Sequence, residues 1–545
     1  MKARLYWFLG FTAVFAALAG FVFWGTWSLD FAPVMPDCPI CHAPDFASRL
    51  FRGMVESGKC VPDDLLRLVG SPYFWQELQY AFALYCAALG MAYFCRGRGL
   101  SRLASYGAGL LLAFSGYWCT LFSAGHLGWF QWMTYGVFVF GLVDRAVCGN
   151  RLRHWLLLGA FAAWGSFHQP DLWLLFTVFT GAYFIWRCVR ERTVPWKGTL
   201  LAAVVFFLIG MPSFYNALVN DLAGRDKQIE EGQTVGSSPK DDAEKRWIFV
   251  TNWSLPPDET AEFLIPRVNG DTSCPLTLSI GSRYGTGIRP YAGALGRPKD
   301  APSGNYRQHS LYVGFVTCIL ALLGGLAGLG IKQSNNQTIR QSRSDLLFFL
   351  VAAVLFWLFS MGRYCEPVYR IVYALPFGDY LRAPVKWHHL TEFCLVVLAA
   401  FGIESLASLL SRVPNLKPFA LPVVGAIVLI GAYDLARVDH LYCAPVDLRE
   451  ARRQNCDFQM TFLRKTDFNN PQVAQMVRAK RIVALAQPNS ETYLVGVLSP
   501  RKKDETPMPP MGALTWLGIL SVATSLAVVV GSAARFKATD AEGRS

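Results

Sequence analysis

Two stretches of this chain place cationic and titratable side chains where they could handle a phosphate. Arg382-Ala-Pro-Val-Lys386-Trp-His388-His389 stands just ahead of a long apolar run. A guanidinium offers phosphate a planar two-pronged contact and an ammonium a point charge. The plainer alternative is a set of interfacial anchors whose stems lie along lipid. His126, in Ser123-Ala-Gly-His-Leu, and His168, in Ser166-Phe-His-Gln-Pro-Asp171, occupy short turns between apolar runs. Turns collect polar residues in any case, yet two of the eight histidines together with Asp171 form the kind of donor set an anionic lipid headgroup requires. Asp30 follows the first apolar run, where a lone carboxylate is ordinarily a solvated boundary residue. Cys38-Pro-Ile-Cys41-His42 has the spacing that attaches c-type haem. It occurs once, in a short loop, which favours a disulfide among Cys38, Cys41 and Cys60 over haem and leaves unpaired thiols or a metal as alternatives.

The elements that must position these residues are membrane helices. Of 545 residues, 53% are apolar and 16% charged, a balance no soluble domain of this size needs for its core. A helix needs roughly 20 apolar residues to cross the hydrocarbon, because backbone groups left unpaired in lipid are costly. Such runs lie near 5–27, 74–95, 103–122, 128–143, 154–167, 171–187, 198–218, 311–331, 346–360, 390–410, 419–436 and 512–534, about twelve in all. The first has the basic start of a signal peptide, but Ala17-Leu-Ala-Gly20 runs on into Phe21-Val-Phe-Trp24, which predicts an uncleaved helix. Basic residues recur in alternate connections, at Arg96 to Arg98, Arg151 to Arg153, Arg187 to Arg192, Lys332 to Arg343 and Arg412 to Lys417. By the positive-inside rule those connections and both termini are cytoplasmic, and the net charge of +13 is an insertion signal, not the mark of a nucleic-acid partner.

Four connections on the other side are longer than turns: about 28–73, 219–310, 361–389 and 437–511. Residues 1–436 read as one transmembrane domain, 437–511 as a small extracytoplasmic segment, and 512–545 as a last helix with a cytoplasmic tail. Arg481-Ile-Val-Ala-Leu and Thr492-Tyr-Leu-Val-Gly-Val-Leu are β-like runs, so the 437–511 segment is expected to be a small α+β unit. Cys86, Cys119, Cys318 and Cys394 fall inside apolar runs and read as packing residues. Cys274, Cys443 and Cys456 would lie outside, where oxidation is permitted.

In order along residues 80–410, several stretches resemble the YfhO-like membrane protein family of the GT-C glycosyltransferase superfamily. They are Gly90 to Arg102, Gly125-His126-Leu127, His168-Gln169, Leu255-Pro-Pro-Asp-Glu259, Leu264-Ile-Pro266, Tyr312-Val-Gly314, Leu375-Pro-Phe-Gly378, Leu381-Arg-Ala-Pro384 and Gly402-Ile-Glu404. The resemblance implies an all-α, GT-C-like polytopic fold in the bacterial cytoplasmic (inner) membrane. It implies a polyprenyl-phosphate sugar donor and an envelope glycan, lipid or protein acceptor. It also implies an acidic catalytic residue in the first outside loop. By position that residue is Asp30, with Asp37, Asp45, Asp63 and Asp64 in the same loop. The family's Pro-Leu-Trp-Asn-Pro run is absent there, and the Cys-rich segment takes its place.

The implied chemistry is coherent. A lipid phosphate is a good leaving group, so inverting transfer needs one carboxylate to take the acceptor's proton and cations to receive the phosphate. Asp30 would serve as base, Arg382 and Lys386 as cations, and His126, His168, Asp171 and His388 as further substrate contacts. No cofactor is required by this scheme, although a divalent ion is compatible with it. The competing reading is a multi-pass transporter or lipid flippase for envelope glycan precursors. Such proteins place ionisable groups at mid-membrane, whereas Glu77, Asp171, Glu392, Glu404 and Asp434 all fall near run ends.

Overall fold

The structure is a computed structural model that describes residues 2–26, 31–33, 55, 57–59, 61–68, 72–118, 121, 126–218, 242–269, 310–329, 343–375, 378–443, 445–447, 449, 453–454, 456–479, 481–489, 492–500 and 511–542. A helix lies over each apolar run. In chain order these are α1 (Lys2–Val22), α2 (Pro72–Gly97), α3 (Arg102–Ala113), α4 (Leu127–Gly149), α5 (Leu152–Ser166), α6 (Pro170–Glu191) and α7 (Trp196–Asn216). After the short α8 (Asp242–Val250) come α9 (Phe315–Leu329), α10 (Arg343–Ser360), the short α11 (Glu366–Tyr373), α12 (His388–Leu410), α13 (Ala420–Tyr442), the short α14 (Pro471–Arg478) and α15 (Ala513–Glu542). Among the described residues, eight helices are long and apolar enough to cross a membrane, so the chain is a polytopic helical membrane protein. The runs under α3, α4, α5 and α9 do not meet that measure.

The helices form one bundle. α2 packs on α3 and α4, α4 on α5 and α6, and α12 on α9, α10 and α3, while α15 closes against α5 and α7. Lipid supplies no hydrophobic drive between helices, so close backbone approach and shape must hold them. At the α9/α12 crossing a Cβ on Gly324 would stand 2.0 Å from the Leu398 carbonyl oxygen, and one on Gly402 would stand 1.9 Å from that of Leu320. Only glycine fits at either place. The bundle centre is aromatic, with Phe393 of α12 set 4.5 Å from Phe140 and 6.2 Å from Phe179, ring centre to ring centre.

One end of the bundle carries the basic connections and is called here the arginine end. There Asp144 accepts from Tyr183 OH at 2.8 Å and forms ion pairs with Arg187 Nε at 2.9 Å and Arg98 at 3.4 Å. Asp345 accepts from Arg190 at 2.9 Å and Trp186 Nε1 at 3.1 Å, and also pairs with Arg98. This network joins the ends of α2, α4 and α6 to the start of α10.

The opposite, loop end carries the long connections. Strand β1 (Phe31–Pro33) follows α1 and pairs antiparallel with β2 (Pro445–Asp447), which follows α13. The expected α+β unit is present: β3 (Cys456–Arg464), α14, β4 (Ile482–Asn489) and β5 (Thr492–Pro500) form a sheet in the order β3-β5-β4. The two β-like runs became β4 and β5, whereas β3, which alternates Cys456, Phe458, Met460 and Phe462 with Asp457, Gln459 and Thr461, was not singled out from the sequence. Cys456 is a free thiol. Asp30 and the Cys38 to His42 motif, with Cys60 and Cys274, lie outside the described residues.

Between α8 and α9 a 3-10 turn, Pro257–Phe263, buries the side chains of Glu259 and Glu262. Burial and the nearby Glu259 carboxylate push the Glu262 carboxyl up to about 8, against a partial offset from the Asn269 amide that donates to its Oε1 at 3.3 Å. A carboxyl raised in the folded state favours the protonated fold. Its contribution is therefore intact below the ordinary value of 4.5 and is lost as pH rises toward about 8. Glu262→Gln should accordingly melt like the parent near pH 4.5 and at a higher temperature than the parent above pH 8, as read by thermal unfolding in detergent. A gap that is constant with pH would show that this carboxyl does not titrate in that window.

Candidate functional site

The first long loop re-enters the bundle at residues 55–64. Gly58 has φ +65°, and a Cβ there would lie 2.6 Å from Pro212 Cβ of α7 and 2.8 Å from the Leu514 carbonyl oxygen of α15. Asn216 Nδ2 donates to the Ser57 carbonyl at 2.9 Å and Thr515 Oγ1 to that of Val55 at 3.1 Å. Pro62 then opens a 3-10 turn, Pro62–Leu68, whose Asp64 reaches back to accept the Val61 N–H at 3.1 Å, the reciprocal half of a capping box.

This geometry fixes Asp63, which is only 3% exposed. Tyr135 OH donates to its Oδ1 at 2.6 Å, and Gln79 and Gln131 donate to its Oδ2 at 3.0 and 3.3 Å. His168 Nε2 stands 3.6 Å from Oδ1, and on the other side of that ring Lys59 Nζ is 3.5 Å from Nδ1. Burial by itself would raise the Asp63 carboxyl, but His168, Lys59 and Tyr135 more than offset it and hold the group well below the usual carboxylate range. His168 is fully buried and beside Lys59, and both effects lower its pKa, which favours a neutral imidazole with a nitrogen able to accept a proton.

Three residues after His168, Asp171 sits in the first turn of α6 behind Pro170, where the helix dipole favours a negative charge. It forms an ion pair with Lys386, mostly buried on both sides. Lys386 belongs to a 3-10 turn, Pro384–Trp387, that follows Ala383 at φ +67°. That strained residue is held by its amide on the Val250 carbonyl at 3.1 Å, and the next amide but one, on Val385, bonds the Trp253 carbonyl at 3.1 Å. Lys386 Nζ also lies 5.6 Å from the ring centre of Trp129. His126, at the N-cap of α4, is half-buried and has its ring 6.2 Å from that same indole.

The remaining expected residues are placed differently. Arg382 lays its guanidinium over the rings of Trp253 and Phe249, at 4.2 and 4.7 Å. His388 is fully buried, 4.4 Å from Phe263 between ring centres and 3.6 Å from Glu392. Glu392 accepts from Ser115 Oγ at 2.5 Å and lies 3.6 Å from His389, so this trio joins α12 to α3 inside the fold. The structure thus brings His168, Asp171 and Lys386 together, with His126 beside them, and gives Arg382 and His388 largely aromatic neighbours.

Lys59, Gln79, Gln131 and Tyr135 were not singled out from the sequence. The available signal was a glutamine inside each of two apolar runs, since a buried amide needs a partner. No group of three or more His, Cys, Asp and Glu side chains among the described residues is arranged to hold a metal ion. Both Asp63 oxygens already accept from protein donors, so a divalent ion does not fit this site.

Beside the site opens an apolar cavity of about 280 Å³ between α4, α5, α6 and α7, lined by Trp132, Gly165, Trp173 and Phe206 among others. It shares Phe184, Thr199 and Ala203 with a second apolar cavity of about 740 Å³ that continues to Arg192 and Trp196 at the arginine end. Gly165 is three residues before His168, and Trp173 is two after Asp171. The lining of the first cavity thus comes within three residues of His168 and two of Asp171 along the chain, and none of the charged side chains lines it.

No family model matches this sequence, and no curated protein matches it. Two solved structures align along most of the chain. The crystal structure of ArnT from Cupriavidus metallidurans bound to undecaprenyl phosphate is 14% identical, covers 89% of this chain and 98% of its own, and has a TM-score of 0.25. The apo form of the same protein is 11% identical, with coverages of 91% and 98% and a TM-score of 0.26. Likeness at this level carries no argument about what this chain does.

Proposed function

We propose that the chain is a membrane glycosyltransferase of the GT-C kind that moves a sugar from a polyprenyl-phosphate donor to an acceptor at the loop end of the bundle. On this reading the loop end is extracytoplasmic and the arginine end cytoplasmic, as the distribution of basic residues favours. The observation that supports the proposal is the Lys59–His168–Asp63 cluster, with the Asp171–Lys386 pair three residues further along the chain, at the end of the bundle where the α4–α7 cavity begins. A donor with a long hydrocarbon tail and an anionic head needs that combination. The YfhO-like resemblance is a finer suggestion, supported by the ordered motifs over residues 80–410.

The tail lies in that cavity and the phosphate meets Lys386 and Lys59. As the acceptor's oxygen bonds to the anomeric carbon, the bond from that carbon to the phosphate oxygen breaks, and its electron pair leaves with the phosphate. The acceptor's proton goes to the Asp63–His168 pair, in which the carboxylate holds the imidazole and stabilises its charged form. Asp30 is the candidate by position in the loop, and Asp63 the candidate by geometry.

Two experiments separate these assignments. Asp63→Asn keeps the side-chain shape but removes the charge, and transfer from a polyprenyl-phosphate sugar by the purified protein should fall by about 10²–10⁴. Asp30→Asn should leave most activity if Asp63 is the working carboxylate. A fully active, folded Asp63→Asn protein alongside an inactive Asp30→Asn protein would reverse the assignment, and full activity in both would remove the mechanism. In the second experiment, Lys386→Ala should lower transfer and also destabilise the fold by about 3–5 kcal/mol, because it leaves Asp171 buried without its partner. The double variant Lys386→Ala/Asp171→Ala should recover stability but not transfer. Recovery of both would reduce Lys386 to a structural ion-pair partner.

A further inference from the structure

A separate groove of about 570 Å³ lies between α1, α3 and α13 in the half of the bundle nearest the arginine end. Its floor is closed by Phe11, Leu110 and Val428, all buried, and its lip is formed by Tyr6, Leu421 and Leu429, which are 69%, 59% and 46% exposed. One glycine from each helix lines it: Gly10, Gly107 and Gly425. A Cβ on Gly10 would meet no atom within 4 Å, and one on Gly425 would meet only Leu103 Cδ1 at 3.8 Å, so the chain itself leaves this space unfilled. The volume falls within the roughly 300–1,000 Å³ typical of small-molecule sites. No part of the groove belongs to the Asp63 site, and its lining is almost wholly apolar.

We propose that this groove is a binding site for an anionic phospholipid of the leaflet at the arginine end, with one acyl chain in the groove and the headgroup at the rim. The groove opens sideways through apolar side chains in a membrane-spanning bundle, so hydrocarbon is the medium that reaches it. The headgroup is argued from charge. Arg4 lies two residues before Tyr6 and is exposed, Lys417 lies four before Leu421 and is exposed, and Arg102 begins α3. The carboxylate at this rim, Glu404, accepts the Ser101 amide at 3.0 Å. Three cations, each within four residues of a lining residue, together with Tyr6 and Trp7 in the lining, suit a phosphate headgroup. Because α1 packs chiefly on α13, a chain held here would complete the seating of the helix that leads into the first long loop.

The test uses the purified full-length protein, delipidated and exchanged into nanodiscs or detergent with phosphatidylglycerol or phosphatidylcholine, and native mass spectrometry counts retained lipid. The parent should retain one phosphatidylglycerol in preference to phosphatidylcholine. Gly10→Phe should lower that retention at least about tenfold by filling the groove. Arg4→Gln/Lys417→Gln should keep chain binding but lose the headgroup preference. Equal retention in Gly10→Phe and parent, or no preference in the parent, overturns the proposal. Should Gly10→Phe fail to insert, a photoactivatable phosphatidylglycerol in proteoliposomes of the parent decides the matter. Crosslinks concentrated on peptides of α1 and α13 bordering the groove support the site, and crosslinks spread evenly over the lipid-facing helices refute it.

Discussion

The buried ion network of Arg98, Asp144, Arg187 and Asp345 is the constraint on which the rest of the bundle depends. Each acidic group takes more than one cationic or hydrogen-bonding partner, and the four side chains come from α4, α6, the end of α2 and the start of α10. Sliding or rotating any of these helices would strand a charge away from water, and removing one partner of such a set typically costs about 3–5 kcal/mol. Apolar side chains in lipid impose no comparable penalty on a shift, since one hydrocarbon contact replaces another. The network therefore sets how far each helix extends, and so where its other end stands.

At that other end, register becomes chemistry. α4 is held so that Gln131 and Tyr135, one turn apart on the same face, reach both oxygens of Asp63. α6 is held so that Asp171 meets Lys386, a residue more than two hundred positions away in the chain. The loop that carries Asp63 is fastened independently, by the close fit of Gly58 against Pro212 and α15. A carboxylate excluded from water needs several fixed donors at once, and here they come from α2 and α4, with the His168 ring of the α5–α6 turn 3.6 Å away. The cost of ordering these groups is met by the packing of the bundle itself.

The same arrangement separates two kinds of apolar space. The cavities beside α6 and α7 share lining residues and continue toward Arg192 and Trp196. The groove beside α1 lies near the arginine end, and its lining carries no charged side chain.

Hydropathy and charge by themselves determined that the chain is a polytopic helical membrane protein, because twenty-odd apolar residues in lipid have no other way to satisfy their backbone. They also singled out His168, Asp171 and Lys386 as candidates, since cations and imidazoles between apolar runs are visible as breaks in those runs. Sequence could name Asp63 only as one of several acids sharing a loop, because nothing local marks which carboxylate will be surrounded by donors. That choice came from tertiary contacts: Gln79, Gln131, Tyr135 and His168 are separated from Asp63 by sixteen to more than a hundred residues. The same holds for Arg382 and His388, which sit in one short stretch with Lys386 yet pack against Trp253 and Phe263. A 3-10 turn and a left-handed Ala383 point neighbours in different directions, and helical spacing could not foresee that.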